Sequence, residues 1–599
     1  MASDRGSFLE QGDSTIPPTG RPVVYATQGI ISSGHYLTSM AGMRMLLSGG
    51  NAFDAVVAAT FAAAVVEPVA SYSLAAEGVF MLYDAGSGDL LSLSGQGGSP
   101  AKATVEFYKK QGLSEIPTGP GPLAHLSFTV PGVVDALFSL LERYGTKTLG
   151  EVLAPSIAYA QSGIPNYEYM IHRLGAAPSR EQFALYPPGG TDIFYPGGEV
   201  PRPGSLLVQS GLAGTLKQMV AAEAAASGDR VAALQAARDA FYRGDIARTI
   251  VESAQGVGGV LALDDLADYH SKYEAPVSSS FMGHDIHGQS TWTQGPVLMQ
   301  TLNMLEQFDL RGMGHNTPQY VHTIAEAIKL ALADREAFYG DPDFSTVPTD
   351  GLLSKEYAAV RARLIDPNKA CPELPPAGDP WRFSITAGTT PAPMAVAGSD
   401  GDASSDASGT THISALDRDG NMVCATPSGA GFSRSAFFPQ LGFALSTRIE
   451  MFNLEDGHPN RLETNKRPRT TLINYIVSKG GTPVMTIGCP GGDSQAQANV
   501  QLILNTLVFG MNPQEAIEAP RFSTQSARNS FHPHSYYPGQ LTVENPLAAP
   551  ITDALTALGH KVVPVAVCGM GATVARRDPD TGVLSTGADP RRACYAMGW

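Results

Sequence analysis

The residue Thr410 has surroundings that would let it act as a nucleophile. It follows a glycine and opens a stretch with the composition of a β-strand. If the Gly409–Thr410 peptide bond were cut, the new α-amino group of Thr410 would deprotonate its own hydroxyl, and no separate histidine would be needed. A threonine at the start of a strand is also common without any chemistry, because β-branched residues favour strands. On the pattern alone, this structural interpretation is the more common one.

The element that must position Thr410 is a predicted hairpin. Two apolar stretches are separated by residues typical of a turn, Asp417-Arg418-Asp419-Gly420-Asn421. A hairpin symmetric about Asp419 places Ile413 opposite Ala425 and Thr410 opposite Ser428, with the two hydroxyls in contact range. A register shifted by one residue would turn these side chains to the opposite face.

The segment just before Thr410 differs sharply from the hairpin. Residues 397–408 are small or acidic and include no large apolar side chain. Such a segment cannot bury enough surface to offset the entropy lost on ordering. We therefore predict a mobile linker over about residues 387–409, which leads directly into the candidate nucleophile.

A longer motif starts at the same threonine, Thr410-Thr411-His412-x-Ser414-x-x-Asp417-x-Asp419-Gly420-Asn421. It resembles the processing-site motif of the γ-glutamyltransferase family, which belongs to the N-terminal-nucleophile hydrolases. Other stretches resemble that family in the same order, among them Ser48-Gly49-Gly50-Asn51-Ala52-x-Asp54-Ala55, Ala333-Asp334-Arg335, Pro490-Gly491-Gly492 and Gly587-Ala588-Asp589-Pro590-Arg591. The resemblance implies self-cleavage before Thr410. The expected products are a large chain, residues 23–409 after a loose arm of residues 1–22, and a small chain, residues 410–599.

The resemblance also implies roles for matching positions. Thr410 would be the nucleophile, its new α-amine the general base, and Ser428 the hydroxyl that supports it. The backbone N–H groups of Gly491-Gly492 would help to hold the oxyanion, since only residues without a side chain let a backbone amide approach so closely. Thr470-Thr471 stand where the family has two serines, and their hydroxyls would donate to a substrate carboxylate.

The chain departs from the family where the family reads a γ-glutamyl group. Family transpeptidases bind the α-carboxylate with an arginine, and Gln96 stands at that place. The aspartate that receives the α-amino group falls at Met451, beside Glu450, and an asparagine near the supporting hydroxyl becomes Ala430. A buried charge without its partner is strongly destabilised. The usual clamp for a γ-glutamyl group is therefore largely missing.

A glycine-rich run of the family is altered as well, and reads here Leu74-Ala75-Ala76-Glu77-Gly78-Val79. Side chains therefore occupy a place where the family backbone is bare. Arg448 and Arg434 are the nearest basic residues that could hold a substrate carboxylate from a new direction, although an exposed charge is the more common role for either one alone. The candidate substrate-binding residues are Gln96, Thr470, Thr471, Arg448 and Glu450.

Helices and strands are grouped in blocks along the chain. A helix that is apolar on nearly all sides, and therefore buried, is expected from about Ala52 to Val66. Another begins at Pro318, capped by Thr317. Strands dominate after Thr410, at 411–416, 422–426, 472–477 and 484–488. Such blocks indicate an α+β class with sheets packed on sheets and helices outside. The family resemblance implies a four-layer αββα sandwich.

Composition excludes several other classes of protein. The 599 residues carry a formal net charge of −16 without a basic run, which argues against nucleic-acid and anionic-membrane partners. Five scattered cysteines without a CxxC pattern predict neither a zinc site nor a disulfide framework. The first residues lack a signal-peptide pattern, and the apolar run Ala55–Val66 is too short to span a bilayer. We expect a cytoplasmic protein, or a periplasmic one if a leader was removed, with no cofactor and no metal.

Three functional hypotheses follow. The first is a self-processing amide hydrolase or acyltransferase with an altered acyl pocket, acting on a small amide that carries a carboxylate, as in the cephalosporin-acylase and oxamate-hydrolase branches of the family. The second is true γ-glutamyl transfer or hydrolysis on glutathione-like substrates. The third is a family member that has lost catalysis and acts as a binding protein. His412 is an alternative base, but the Thr410 amine lies closer to its own hydroxyl. Homo-oligomers are frequent in the family.

Overall fold

The computed structural model describes residues 19–186, 189–390, 409–431, 433–569 and 571–599. Most of the predicted linker, residues 391–408, and most of the predicted N-terminal arm, residues 1–18, lie outside the described residues. The described part contains two seven-stranded sheets, two helical layers and three small sheets.

The first large sheet contains the predicted hairpin at its centre. Every neighbouring pair of its strands is antiparallel. In spatial order its strands are Tyr595–Gly598, Gly29–Ser33, Ile413–Asp417, Met422–Ser428, Glu77–Tyr83, Leu90–Gly95 and Lys272–Glu274.

The second large sheet is also antiparallel throughout. Its strands, in spatial order, are Val24–Ala26, Leu584–Ala588, Thr573–Arg577, Thr482–Gly488, Tyr475–Lys479, His284–Gly288 and Val277–Phe281. Apolar side chains from both sheets form a common cluster, so the sheets pack face to face. The fully buried members include Ile30, Met81, Leu416, Cys424 and Ile476.

Helices cover the outer face of each sheet. The layer on the first sheet consists of Tyr36–Leu47, Ala52–Val66, Val133–Tyr144, Leu149–Ser162, Ser210–Ala225, Arg230–Tyr242 and Asp245–Gly256. The layer on the second sheet consists of Gly295–Leu305, Pro318–Phe338, Lys355–Ala362, Ser494–Leu507 and Asn545–Ala557. The predicted α+β fold, a four-layer αββα sandwich, is therefore confirmed.

Shorter elements surround the sandwich. The short α-helices are Val105–Lys110, Glu168–Gly175, Ala177–Leu185, Thr191–Phe194, Leu263–Ala267, Leu310–Met313, Thr349–Leu353 and Pro513–Glu518. The 3₁₀ turns are Pro68–Ala70, Ala124–Ser127, Pro196–Gly198, Pro380–Phe383 and Arg448–Met451. The small sheets pair Ile164–Pro165 with Leu206–Leu207, Phe437–Phe438 with Phe443–Ala444, and Phe522–Thr524 with Gln540–Glu544 and Lys561–Val565.

Local signals explain several of these elements. The helix Ala52–Val66 has the predicted bounds and is buried on all sides, and Asn51 caps it through a capping box. Thr317 caps the helix Pro318–Phe338, as predicted. In the described part of the chain, no helix combines the length and apolarity that a bilayer crossing requires.

The hairpin register is the one predicted from symmetry about Asp419, with Ile413 opposite Ala425. Asp417 fixes the turn, because its Oδ1 accepts from the backbone N–H of Asp419 at 3.1 Å and of Asn421 at 3.0 Å. Its Oδ2 accepts from the N–H of Ala52, at the start of the buried helix, at 2.9 Å. One carboxylate therefore ties the turn to the helical layer.

We expect Asp417→Ala to lower the free energy of unfolding by about 3 kcal/mol, because it leaves several buried N–H groups without an acceptor. Urea unfolding measures this change. Asp419→Ala, in the same turn but with a side chain 72% exposed, should change the free energy by less than about 0.5 kcal/mol. Equal losses in both variants would contradict a specific role for the Asp417 carboxylate.

Candidate active site

The hydroxyl of Thr410 donates to the hydroxyl of Ser428, with 3.0 Å between the oxygens. Both side chains are buried. The Ser428 hydroxyl in turn points to the carbonyl oxygen of Ser71 at 3.4 Å. The contact predicted from the hairpin register is therefore present. The strand itself begins at Ile413 rather than at residue 411, because the backbone at Thr410 is not extended.

The backbone at the predicted cleavage position is strained. Gly409 has φ +67° and Thr410 has φ +80°, and Ser71, which lies against Gly409, has φ +55°. A β-branched residue such as threonine rarely adopts a positive φ, and each such residue costs about 1–3 kcal/mol. The N–H of Thr410 donates to the carbonyl oxygen of Ala70, which helps to hold this conformation. Strain is thus concentrated at the Gly409–Thr410 junction.

A buried arginine holds the other side of the same residue. Arg592 Nη1 donates to the carbonyl oxygen of Thr410 at 2.5 Å. The same guanidinium lies 3.5 Å from the carboxylate of Glu67, which is fully buried. Arg592 directly follows residues 587–591, one of the stretches that resemble the family. Its contact with Thr410 joins residues 182 positions apart, so no local sequence pattern predicts it.

His412 is buried between the sheets and does not serve as a base for Thr410. Its Nδ1 contacts the Thr426 hydroxyl at 2.8 Å and its Nε2 the Ser414 hydroxyl at 3.1 Å. Burial lowers the pKa of His412 to about 3. Both ring nitrogens are therefore occupied, and the ring is neutral near pH 7.

The glycine pair Gly491-Gly492 directly precedes the helix Ser494–Leu507. Their φ values are +129° and +55°, a backbone that glycine adopts without strain. In the described part of the chain, neither N–H donates to a backbone acceptor. These groups stand at the positive end of the helix dipole, which favours a negative charge nearby.

A cavity of about 200 Å³ lies beside the glycine pair. Its lining includes Gly491, Gly492, Arg434 and Phe531. A Cβ atom on Gly492 would come within 2.9 Å of the Phe531 ring. The lining does not include Thr410, Ser428, Thr470, Thr471, Arg448, Glu450 or Gln96.

A side chain that the sequence did not indicate connects two predicted groups. Gln294 Nε2 donates to the carbonyl oxygens of both Thr471 and Gly492, each at 2.8 Å. Its Oε1 accepts from Arg335 Nη1 at 3.1 Å. Arg335 also pairs with Asp493, the residue after the glycine pair. Gln294 therefore links Gly492, a candidate for the oxyanion hole, to Thr471, a candidate substrate-binding residue.

The two candidate arginines meet the same aromatic ring. The guanidinium carbons of Arg434 and Arg448 lie 5.0 Å and 5.4 Å from the centre of Phe531. Arg434 pairs with Glu450 at 3.1 Å. Arg448 is buried and donates to the Thr471 hydroxyl at 3.4 Å. The fold thus brings Arg434, Arg448, Glu450 and Thr471 together.

Gln96 lies elsewhere in the sheet. It directly follows Gly95, the last residue of its strand, and Gly95 pairs with Gly78, the residue after Glu77. It lines a second cavity, of about 330 Å³, with Tyr269 and Arg467. Its Nε2 donates to the carbonyl oxygen of the next residue at 3.1 Å, and its Oε1 has no hydrogen-bond partner among the described residues. Thr470 is buried, and its hydroxyl accepts from the N–H of Leu472 at 3.3 Å.

Among the described residues, His322, Glu326 and His560 form a group whose spacing would suit a metal ion. His322 Nδ1 already contacts His560 Nε2 at 2.9 Å. The buried ammonium of Lys329 lies 2.7 Å from Glu326 and balances its charge. A dication would add to that positive charge, so we interpret the group as a structural cluster.

We expect Gln294→Leu to lower the free energy of unfolding by about 2–3 kcal/mol. The buried carbonyl of Thr471 loses its side-chain donor, the carbonyl of Gly492 keeps only the N–H of Gln495, and Arg335 loses an acceptor. Hydrogen exchange at residues 491–494 should also accelerate, which mass spectrometry of peptides can detect. Gln440→Leu is the matched control, since this glutamine is exposed. Equal exchange at residues 491–494 in both variants would contradict a role for Gln294 in holding the glycine pair.

Comparison with known proteins agrees with this geometry. The family model described as gamma-glutamyltranspeptidase matches residues 38–599. The glutathione hydrolase-like YwrD proenzyme of Bacillus subtilis is 32% identical over 592 residues, which cover 96% of this chain and 99% of that protein.

Two solved structures share the architecture. LmbA2991HD is 38% identical, with a TM-score of 0.89 over 97% of this chain and 100% of that one. The cephalosporin acylase from Bacillus halodurans is 29% identical, with a TM-score of 0.82 over 99% of each chain. The extent of these matches shows that the chain belongs to the γ-glutamyltranspeptidase family of N-terminal-nucleophile hydrolases.

Proposed function

We propose that this chain is a self-processing amide hydrolase or acyltransferase that forms an acyl-enzyme on Thr410. Its substrate is a small amide with a carboxylate on the acyl side. The observation that carries the proposal is the hydroxyl of Thr410, buried 3.0 Å from Ser428 at a strained Gly409–Thr410 junction. The Thr410 hydroxyl therefore lies next to the carbonyl of Gly409, the group that it would attack.

The first reaction is cleavage of the chain itself. The Thr410 hydroxyl attacks the Gly409 carbonyl carbon, and the peptide C–N bond breaks to give an ester and a free amine. Water then hydrolyses the ester, releases the Gly409 carboxylate and restores the hydroxyl. Relief of the left-handed backbone at Thr410 favours this step. Arg592 holds the Thr410 carbonyl during the reaction.

The second reaction uses the new N-terminus. The α-amine of Thr410 accepts the proton of its own hydroxyl as the oxygen attacks the amide carbonyl of the substrate. The N–H groups of Gly491 and Gly492 stabilise the oxyanion, and the amine returns the proton to the leaving nitrogen. Water or an acceptor amine then releases the acyl group.

The proposed products are residues 23–409 with the N-terminal arm, and residues 410–599. They would remain together, because both chains supply strands to both large sheets. In the first sheet, Ile413–Asp417 of the small chain pairs with Gly29–Ser33 of the large chain. In the second, Leu584–Ala588 pairs with Val24–Ala26. Separation would expose the apolar centre of the sandwich.

The acyl pocket supports a carboxylated substrate that is not a γ-glutamyl group. Arg448 is a buried cation near Thr471 and Phe531, placed to meet a carboxylate. Gln96 carries no charge for an α-carboxylate, and Glu450 is already paired with Arg434 instead of awaiting an ammonium. Glutathione-like substrates are therefore the second candidate. A silent binding protein is disfavoured by the intact Thr410, Ser428 and glycine pair.

We expect purified protein to consist of two chains, the smaller of which begins at Thr410. Thr410→Ala should remain a single chain, since the attacking hydroxyl is gone, and Ser428→Ala should cleave at least tenfold more slowly. Intact mass and N-terminal sequencing measure both outcomes. Thr411→Ala removes the same type of hydroxyl one residue later and should still be cleaved. An uncut wild-type chain, or cleavage of Thr410→Ala, would overturn the proposal.

We expect Arg448→Gln to raise KM for a carboxylated amide such as succinamate by about 10–100-fold, since a charge-assisted hydrogen bond is lost. The uncharged succinamide should show little change, because it makes no ion pair. Steady-state kinetics on the two substrates provide the comparison. Equal losses on both amides would show that Arg448 does not read the carboxylate.

A further inference from the structure

Glu77 is a fully buried carboxyl in the middle of the candidate site. It lies directly opposite Ser428 in the neighbouring strand, so the hydroxyl that supports Thr410 and this carboxyl are adjacent. Ser446 donates to Glu77 Oε1. Glu77 Oε2 packs where a Cβ on Gly429 would lie, and has no hydrogen-bond partner among the described residues.

The guanidinium of Arg448 faces that unpartnered oxygen. Arg448 Nε lies 3.6 Å from Glu77 Oε2, too far for a good hydrogen bond. This Nε also has no hydrogen-bond partner in the described part of the chain. A buried donor and a buried acceptor are thus both unsatisfied and face each other. A ligand carboxylate that reaches Arg448 would accept from this Nε and would bring a second anion toward Glu77 Oε2.

Few other charges oppose or support this pair. Tyr269, a half-buried residue after the helix Leu263–Ala267, interacts electrostatically with Glu77, and Gln96, whose carbonyl oxygen accepts from the Tyr269 hydroxyl, is neutral. Arg448 is influenced by Glu450, Arg434 and Asp493. Glu450 and Arg434 pair with each other. Arg448 is therefore the cation that acts most directly on Glu77.

Burial raises the pKa of the Glu77 carboxyl to about 8, against the attraction of Arg448. Below that pH the Glu77 carboxyl is mainly protonated, and its attraction for Arg448 is weaker. Above it, Glu77 ionises and neutralises Arg448. An anion at Arg448 would then face a second buried carboxylate, which is unfavourable unless one of them is protonated.

We propose that Glu77 is the specificity-determining partner of Arg448: the carboxylate of the acyl group binds Arg448 together with one proton taken up from solvent by Glu77. The protonated Glu77 donates to the bound carboxylate, and Arg448 donates to the same group. This inference rests on the proposed function, and it adds that the acyl pocket selects a negatively charged acyl group. An uncharged acyl group makes no ion pair with Arg448, so its affinity does not depend on the protonation of Glu77.

The position of the pair also limits the length of the acyl group. Glu77 is one strand removed from Ser428, and strands are about 4.8 Å apart. Thr410 contacts Ser428 from the other side, so the backbones at Glu77 and Thr410 are about two strand spacings, ~10 Å, apart. The acyl chain must bridge that distance, which suits the half-amide of a short dicarboxylic acid.

Calorimetry of the processed enzyme with succinate, the acid corresponding to succinamate, tests the linkage. In two buffers of different ionisation enthalpy, the number of protons taken up on binding should rise from near zero at pH 6.5 to near one at pH 9.5. The Kd should rise about tenfold per pH unit above pH 8. Binding without proton uptake at pH 9.5 would overturn the proposal.

The variant Glu77→Gln mimics the neutral carboxyl. It should keep tight succinate binding at pH 9.5 and lose most of the pH slope of KM for succinamate, with kcat changed much less. The Thr410 amine titrates in both proteins, so the difference between them isolates Glu77. Glu77→Asp, which keeps the charge, should retain a pH slope. Identical slopes in wild type and Glu77→Gln would refute the role of Glu77.

These outcomes separate the proposal from the function on which it rests. A processed protein that fails to hydrolyse amides contradicts the proposed function, and succinate binding still reports on Glu77. A protein that hydrolyses succinamate, but binds succinate without proton uptake, keeps the proposed function and loses only this inference. Thermal unfolding of each variant shows whether a lost slope reflects a lost fold.

Discussion

The register of the hairpin at residues 413–428 determines whether this site exists. With Ile413 opposite Ala425, the hydroxyls of Thr410 and Ser428 meet at 3.0 Å, and a shift of one residue would turn them to opposite faces. The register is fixed from the far end by Asp417, whose carboxylate binds the turn and the start of the buried helix. The position of Thr410, the proposed nucleophile, is therefore a property of the whole central sheet. Strain at Thr410 persists because the surrounding sheet over-determines it.

Buried charged residues position the glycine pair and the carbonyl of Thr410. Arg335 links Gln294 to Asp493, and so fixes the glycine pair at the start of a helix. Arg592 holds the Thr410 carbonyl from another direction. Such groups add little net stability, since removing each from water costs about as much as pairing returns. Their value lies in geometry, because an oxyanion donor that moves by even ~1 Å loses much of its effect.

The sequence predicts the parts of this arrangement that depend on local patterns. Turn residues and symmetry predict the hairpin register, and capping residues predict the helices that begin at Ala52 and Pro318. The family resemblance identifies the glycine pair at 491–492. The sequence does not predict partners that are distant in the chain. Gln294 reaches Gly492 across 198 positions, and Arg592 reaches Thr410 across 182. It also does not predict that Thr410 leaves the strand, because a left-handed threonine is a tertiary constraint that overrides its β propensity.

The departures from the family pattern change the charges around the candidate site. The positive charge expected at position 96 is absent, a carboxyl is added at Glu77, and a buried cation stands at Arg448. In the sheet, Glu77 lies opposite Ser428, and Gln96 directly follows the strand on the other side of Glu77–Tyr83. Under the proposed function, recognition of the substrate carboxylate would fall to Arg448, which contacts Thr471 and Phe531, and not to position 96. The proposed preference for a carboxylated acyl group other than γ-glutamyl depends on this change, because Gln96 offers no cation for an α-carboxylate and Glu450 is already paired with Arg434.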